Sequence, residues 1–117
     1  MNLSTITPVY YPNLIGNRQV YVGTGNGPAT YNQTTGDILS VNFTPFNIDA
    51  VLGPAVTPDL KFIAIPVPIT VGKSGGWTLF WFNFVASAGA TPAWTPVANN
   101  STALALEQIQ LSVLGGP

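Results

Sequence analysis

Charge is what this sequence has least of. Across 117 residues it carries three Lys or Arg and four Asp or Glu, with no histidine and no cysteine. Charged residues make up 6% of the chain, against about 25% in ordinary soluble domains. Without cysteine there is neither a disulfide framework nor thiolate chemistry. Without histidine the commonest general base is gone, along with every Ser-His or Cys-His nucleophile and most zinc and iron sites. A net charge of -1 with no basic cluster leaves little to neutralise phosphates, so neither nucleic acid nor an anionic membrane is an expected partner. No run approaches the roughly 20 apolar residues of a membrane-spanning helix. Residues 1–8, MNLSTITP, have no basic segment followed by a continuous apolar run, so they do not read as a secretory signal.

What is present is apolar and heavily punctuated. Apolar residues reach 46%, enough for one core, and eleven prolines and twelve glycines are spread along the whole chain. Such spacing interrupts any long 3.6-residue periodicity and leaves short extended segments. The pattern predicts an all-β fold, a single-domain antiparallel β-sandwich that is jelly-roll-like or barrel-like. Strands are expected over 19–24, 47–52, 61–65, 77–85 and 107–114, with weaker ones over 9–11 and 38–42. Residues 16–117 form the sandwich in this reading. Residues 1–15, with Pro8 and Pro12 and few strand-forming runs, form an extended N-terminal arm that packs on a neighbour instead of in the chain's own core.

The final strand has the cleanest alternation: Ile109, Leu111 and Val113 on one face, Gln108, Gln110 and Ser112 on the other. The stretch Ile65-Pro66-Val67-Pro68-Ile69 cannot donate ladder hydrogen bonds at its prolines and belongs at a sheet edge or in polyproline-like chain. The segment 77–85 is apolar on both faces, with Trp77, Leu79, Trp81 and Val85 at odd positions and Phe80, Phe82 and Phe84 at even ones. A two-layer domain covers only one face of a sheet with its own second layer. The other lies either under a loop such as 91–97 or at a subunit interface, where aromatics are enriched. On the second alternative the interface candidates are Tyr10, Tyr11, Phe80, Phe82, Phe84 and Trp94. Asn83, on the odd face, predicts a turn or loop interrupting that face, because a buried amide must find partners.

Candidate chemistry is sparse. Asp37, Asp49, Asp59 and Glu107 are far apart in sequence, and a glycosidase pair or a calcium cage needs two or more to converge. Solvated or capping roles are expected of them, so no catalytic, cofactor-binding or metal-binding residue is assigned. The run Gly23-Thr24-Gly25-Asn26-Gly27-Pro28 lacks the third glycine of a dinucleotide fingerprint and the Lys-Ser/Thr of a phosphate loop, and reads as a strand end and turn. Asn2, Asn32, Asn42 and Asn99 fall in glycosylation-like triplets, a by-product of an Asn- and Thr-rich composition. Tyr10, Tyr11, Tyr21, Tyr31 and Trp94 could form a sugar-stacking platform, but turn and interface packing is the plainer use for them.

The stretch Gly16-Asn17-Arg18-Gln19-Val20-Tyr21-Val22-Gly23-Thr24, then Gly27-Pro28-Ala29-Thr30-Tyr31, then Thr35-Gly36-Asp37-Ile38-Leu39 and Asn47-Ile48-Asp49-Ala50-Val51-Leu52-Gly53, resembles small virion proteins of tailed bacteriophages. Leu104 through Gly116 is similar to their closing strand. The resemblance covers about two-thirds of the chain in order, through short motifs; the proline-rich segment around Pro66 and the hydrophobic strand 77–85 depart from it. It implies a capsid decoration, or cement, protein: a β-rich homo-oligomer, with a trimer favoured, on the capsid exterior, whose partner is the major capsid protein. No cofactor is implied. A tail or baseplate accessory protein and a carbohydrate-binding β-sandwich module are the alternative readings.

Overall fold

A computed structural model describes residues 1–9, 18–41, 46–70, 75–85 and 93–116. These contain no helix and ten strands: β1 (Asn2–Leu3), β2 (Thr5–Val9), β3 (Gln19–Asn26), β4 (Asp37–Val41), β5 (Asn47–Val51), β6 (Ala55–Val56), β7 (Phe62–Pro68), β8 (Trp77–Val85), β9 (Ala93–Pro96) and β10 (Gln108–Gly116). The first sheet runs β1-β4-β8-β7-β6, with β9 also paired to β8; the second runs β2-β3-β10-β5. The two pack face to face as an all-β sandwich. Every ladder is antiparallel except β1 with β4.

Alternation decides which side chains meet between the sheets. From β8, Leu79 and Trp81 point inward and are fully buried, beside Ala64 of β7 and Leu39 of β4. The second sheet answers with Ile109, Leu111 and Val113 from β10 and Ile48 and Val51 from β5. Ile48 and Val51 both reach the core although three residues apart, because the register with β10 slips by one residue between Leu114 and Gly115. Asp49 is the extra residue of that bulge, and its carboxylate takes Arg18 Nε at 2.9 Å.

The N-terminal segment corrects the arm expectation over residues 1–9. β1 joins the first sheet beside β4, and β2 joins the second beside β3, so the chain crosses between layers at Ser4. Met1 and Leu3 are buried in the core. Alternation explains the error: Leu3 and Ile6 face the interior, and two apolar residues suffice when the sheet on each side supplies the rest. Residues 10–15 lie outside the described residues.

The same crossing explains the glycine run. Gly23 and Gly25 face inward on β3, and a Cβ on Gly25 would stand 2.6 Å from the carbonyl oxygen of Asn2 and 3.0 Å from the Met1 side chain. Glycine at this position lets β1 approach β3. The run is therefore strand interior as well as strand end.

The first sheet contains a gap that side chains fill. On one edge of β8, β4 pairs with residues 77–79 and β9 with residues 82–85. Trp81 falls near the join. Its N–H donates to the hydroxyl of buried Tyr31 at 3.0 Å, and its carbonyl accepts from Val97 N at 3.0 Å. Tyr31 is held in turn by backbone bonds to Ser101 and Asn100. The expected break at Asn83 does not occur. β8 runs through it, because Thr95 on β9 lies opposite and donates its hydroxyl to Asn83 Oδ1 at 2.7 Å.

Two measurements check this arrangement. Trp81→Ala should cost about 3–5 kcal/mol of folding stability in denaturant titrations, whereas Phe82→Ala, from the half-buried face of the same strand, should cost about 1–2 kcal/mol. Tyr31→Phe removes the acceptor of the Trp81 N–H and should cost about 1–3 kcal/mol with the fold retained.

Candidate interaction surface

The two outer faces of the sandwich differ in kind. On the second sheet, Thr7 of β2, Thr24 and Asn26 of β3, and Gln108, Gln110 and Ser112 of β10 point outward, with Val9, Val20, Val22, Leu114 and Ala50 half-buried among them. Hydroxyls and amides hydrate this side without charge. The outward row of the first sheet is apolar. Val67 pairs across with Thr78, Ile65 with Phe80, and Ile63 with Phe82, whose other neighbours in the row are Val56 beyond Ile63 and Pro96 on β9. Phe84 and Trp94 close the row, 44% and 49% exposed, with rings edge to face at 5.1 Å.

Local structure presents this face and partly trims it. The turn from Asn32 to Gly36 is tied by Asn32 Oδ1, which accepts from the N–H groups of Thr34 and Thr35 at 2.8 and 3.2 Å. Gly36 has φ +71° and packs against Thr78, whose hydroxyl donates to Thr35 O at 2.8 Å. Thr78 is thereby buried although it points outward. Beyond it nothing among the described residues covers Ile65, Val67, Phe84 or Trp94, which stay 39% to 49% exposed. Of the expected covering loop 91–97, residues 91–92 lie outside the described residues, and residues 93–96 do not fold over the face but extend the sheet as β9 and add Trp94 and Pro96 to the row.

Four of the six interface candidates therefore share one surface, Phe80, Phe82, Phe84 and Trp94. Tyr10 and Tyr11 lie outside the described residues. Ile63, Ile65, Val67 and Val56 belong to the same surface and were not singled out from the sequence, although Ile63, Ile65 and Val67 alternate with Ala64, Pro66 and Pro68 at the strand period. The sugar-platform residues disperse. Tyr31 is buried, and Tyr21 packs against the core with its ring edge-on to Phe46 at 5.0 Å.

The acids are all engaged, and three of them depart from expectation. Asp37 is buried, not solvated or capping. Its carboxylate accepts from Trp81 Nε1 at 3.0 Å and pairs with the Met1 ammonium, which also donates to Ile38 O at 2.8 Å. Asp59 and Glu107 come close enough to perturb each other despite their separation in sequence. Asp59 Oδ1 also accepts from Thr57 Oγ1 at 2.6 Å and from Lys61 N at 3.1 Å, which fixes the tight turn between β6 and β7. No pocket opens and no group of three potential metal ligands forms among the described residues. The pair sits at the surface. Its work is to tie the β6–β7 turn to the segment before β10.

Comparison of the chain with protein-family models, with curated proteins and with solved structures returns no match.

The acid pair gives a pH signature. The Thr57 hydroxyl, with the Lys61 N–H and the Glu107 carboxyl, holds Asp59 below the usual carboxylate range. Burial, with the hydrogen bond and charge of Asp59, pushes Glu107 above it. Asp59 thus contributes stability that is present above its unfolded pKa and lost as pH falls through its folded one. Glu107 acts oppositely: its contribution is present below its unfolded pKa and lost as pH rises through the raised folded one. Melting temperature followed between about pH 3 and pH 7 should pass through a mildly acidic maximum, and Glu107→Gln should flatten its alkaline side.

Proposed function

We propose that this chain is a non-catalytic structural subunit of a virion, a decoration protein that binds the outside of a tailed-phage capsid and stabilises the shell formed by the major capsid protein. The observation that carries the reading is the pairing of one apolar, nearly charge-free sheet face with one sheet face whose exposed polar side chains are mostly hydroxyls and amides, on the same small sandwich. A shell-decorating subunit needs a self-complementary face on which its copies join, an outward face that stays hydrated, and no chemistry. The motif resemblance to small phage virion proteins points the same way.

The mechanism is mass action. A subunit that binds only the assembled shell stabilises it by RT ln(1 + [L]/Kd) at each site, about 2.7 kcal/mol when free subunit stands at 100 times Kd. Many sites acting together make a small term per site decisive for the particle. Copy number replaces catalysis.

Immunogold labelling of intact phage particles tests the proposal. Label distributed over the capsid shell is the expected result. Label confined to the tail would transfer the chain to the tail or baseplate accessories, and particles free of label would overturn a virion role.

A further inference from the structure

We infer that the outer face of the first sheet is covered by a second copy of the same face, two chains stacking sheet to sheet across a two-fold axis into a four-layer β assembly. The inference rests on the reading of the chain as an assembly subunit and names the partner of its apolar surface.

Area is the first argument. Ile65, Val67, Phe84 and Trp94 are each about two-fifths to one-half exposed, and Val56 is similar; with Pro96 and the half-buried Ile63, Phe80 and Phe82 the row offers on the order of 600 Å². That matches the largest patch on a typical monomer, about 300–600 Å², and approaches the roughly 800 Å² each partner gives to a standard interface.

Chemistry selects the occupant. Among the described residues the Trp94 indole N–H is the one exposed hydrogen-bonding group in the row, the Thr78 hydroxyl being buried against Thr35, so what covers the row must itself be apolar and uncharged over most of a comparable area. Among the described surfaces of this chain, the largest group of exposed apolar side chains is this same row. Self-pairing also demands neutrality, since near a two-fold axis each charge would face its own copy. Among the described residues the charged one that borders the row is Lys61, opposite Phe84 at the rim, and Asp59 and Glu107 lie beside it.

Backbone geometry weighs against the rival mode, in which copies add strands edge to edge along β7. Ile69 N–H donates to Gly76 O, while Phe62 O accepts from Thr57 N on the opposite side. Odd residues of β7 therefore turn their backbone groups toward β8, and even ones turn theirs outward. β6 covers only the start of this edge, opposite Ile63 and Ala64. The next two even positions are Pro66 and Pro68, which have no N–H to offer. Along β7, association is left to the face.

Sedimentation velocity of the isolated full-length chain, from about 1 to about 100 µM, tests the inference. The wild type should form dimers, and Val67→Lys and Trp94→Lys, each placing like charges across the axis, should weaken association at least about tenfold. Melting of the variants in the dilute monomer should stay close to wild type, and Gln110→Lys on the opposite sheet should dimerise normally. A wild type monomeric throughout, a trimer as the sole oligomer, or face variants that dimerise like wild type would overturn the inference. A monomer that still labels capsid shells would remove self-pairing and leave the decoration role standing; a dimer absent from particles would do the reverse.

Discussion

Burying an indole between two sheets is favourable only if its N–H finds an acceptor there, and the interior of this protein is arranged around that requirement at Trp81. The ring gives the core one of its largest fully buried side chains, and its Nε1 is satisfied by Asp37. A carboxylate in that position must itself be compensated, and the Met1 ammonium does so. One demand thus fixes the start of β4, draws the N-terminal segment into the core, and seats β1 beside β4. The backbone of the same residue, bound to Tyr31 and Val97, holds together the place where β4 gives way to β9. Tryptophan, carboxylate, amine and phenol form one connected set, and polar networks of this kind favour a single packing when every member is satisfied.

Much of the architecture was legible because it depends on local alternation. The two-faced composition of residues 77–85 marked β8, and Ile109, Leu111 and Val113 marked the inward side of β10. The proline-bearing edge at 65–69 was equally visible, since a missing N–H is a property of the residue and not of its neighbours. What could not be read were the choices made by tertiary pairing. Two-residue strands such as β1 and β6 carry no period. The segment 93–96 has none of the alternation that would announce β9, and it becomes a strand because Trp94 and Thr95 find partners in Phe84 and Asn83. Likewise, Asp59 and Glu107 meet only after the β6–β7 turn and the segment before β10 are placed together.

The candidate surface was half legible for the same reason. Aromatic residues at even positions of β8 announced a second apolar face, but which face lay inside depended on the strands opposite. Leu79 and Trp81 took the interior because β10 and β5 offer branched aliphatic side chains there, leaving the phenylalanines outward. The row they share with Ile63, Ile65 and Val67 exists only through the β7–β8 register, which no single strand encodes. Scarcity of charge, apparent from composition, takes on spatial meaning in the fold: one layer replaces charge with hydroxyls and amides, the other leaves it out.

The order of strands along the chain differs from their order in space, and this bears on how the protein comes to be folded. β10 follows every other described strand, yet it lies inside its sheet between β3 and β5. Until the ribosome has released residues up to 116, β3 and β5 have no common neighbour and the interior face of the first sheet has no layer to close upon it. Such non-local pairing, with strands separated by most of the chain, makes folding slow relative to helical domains. The nascent protein therefore emerges with its aromatic strand already made and still uncovered, the period in which chaperone capture or premature association competes with folding.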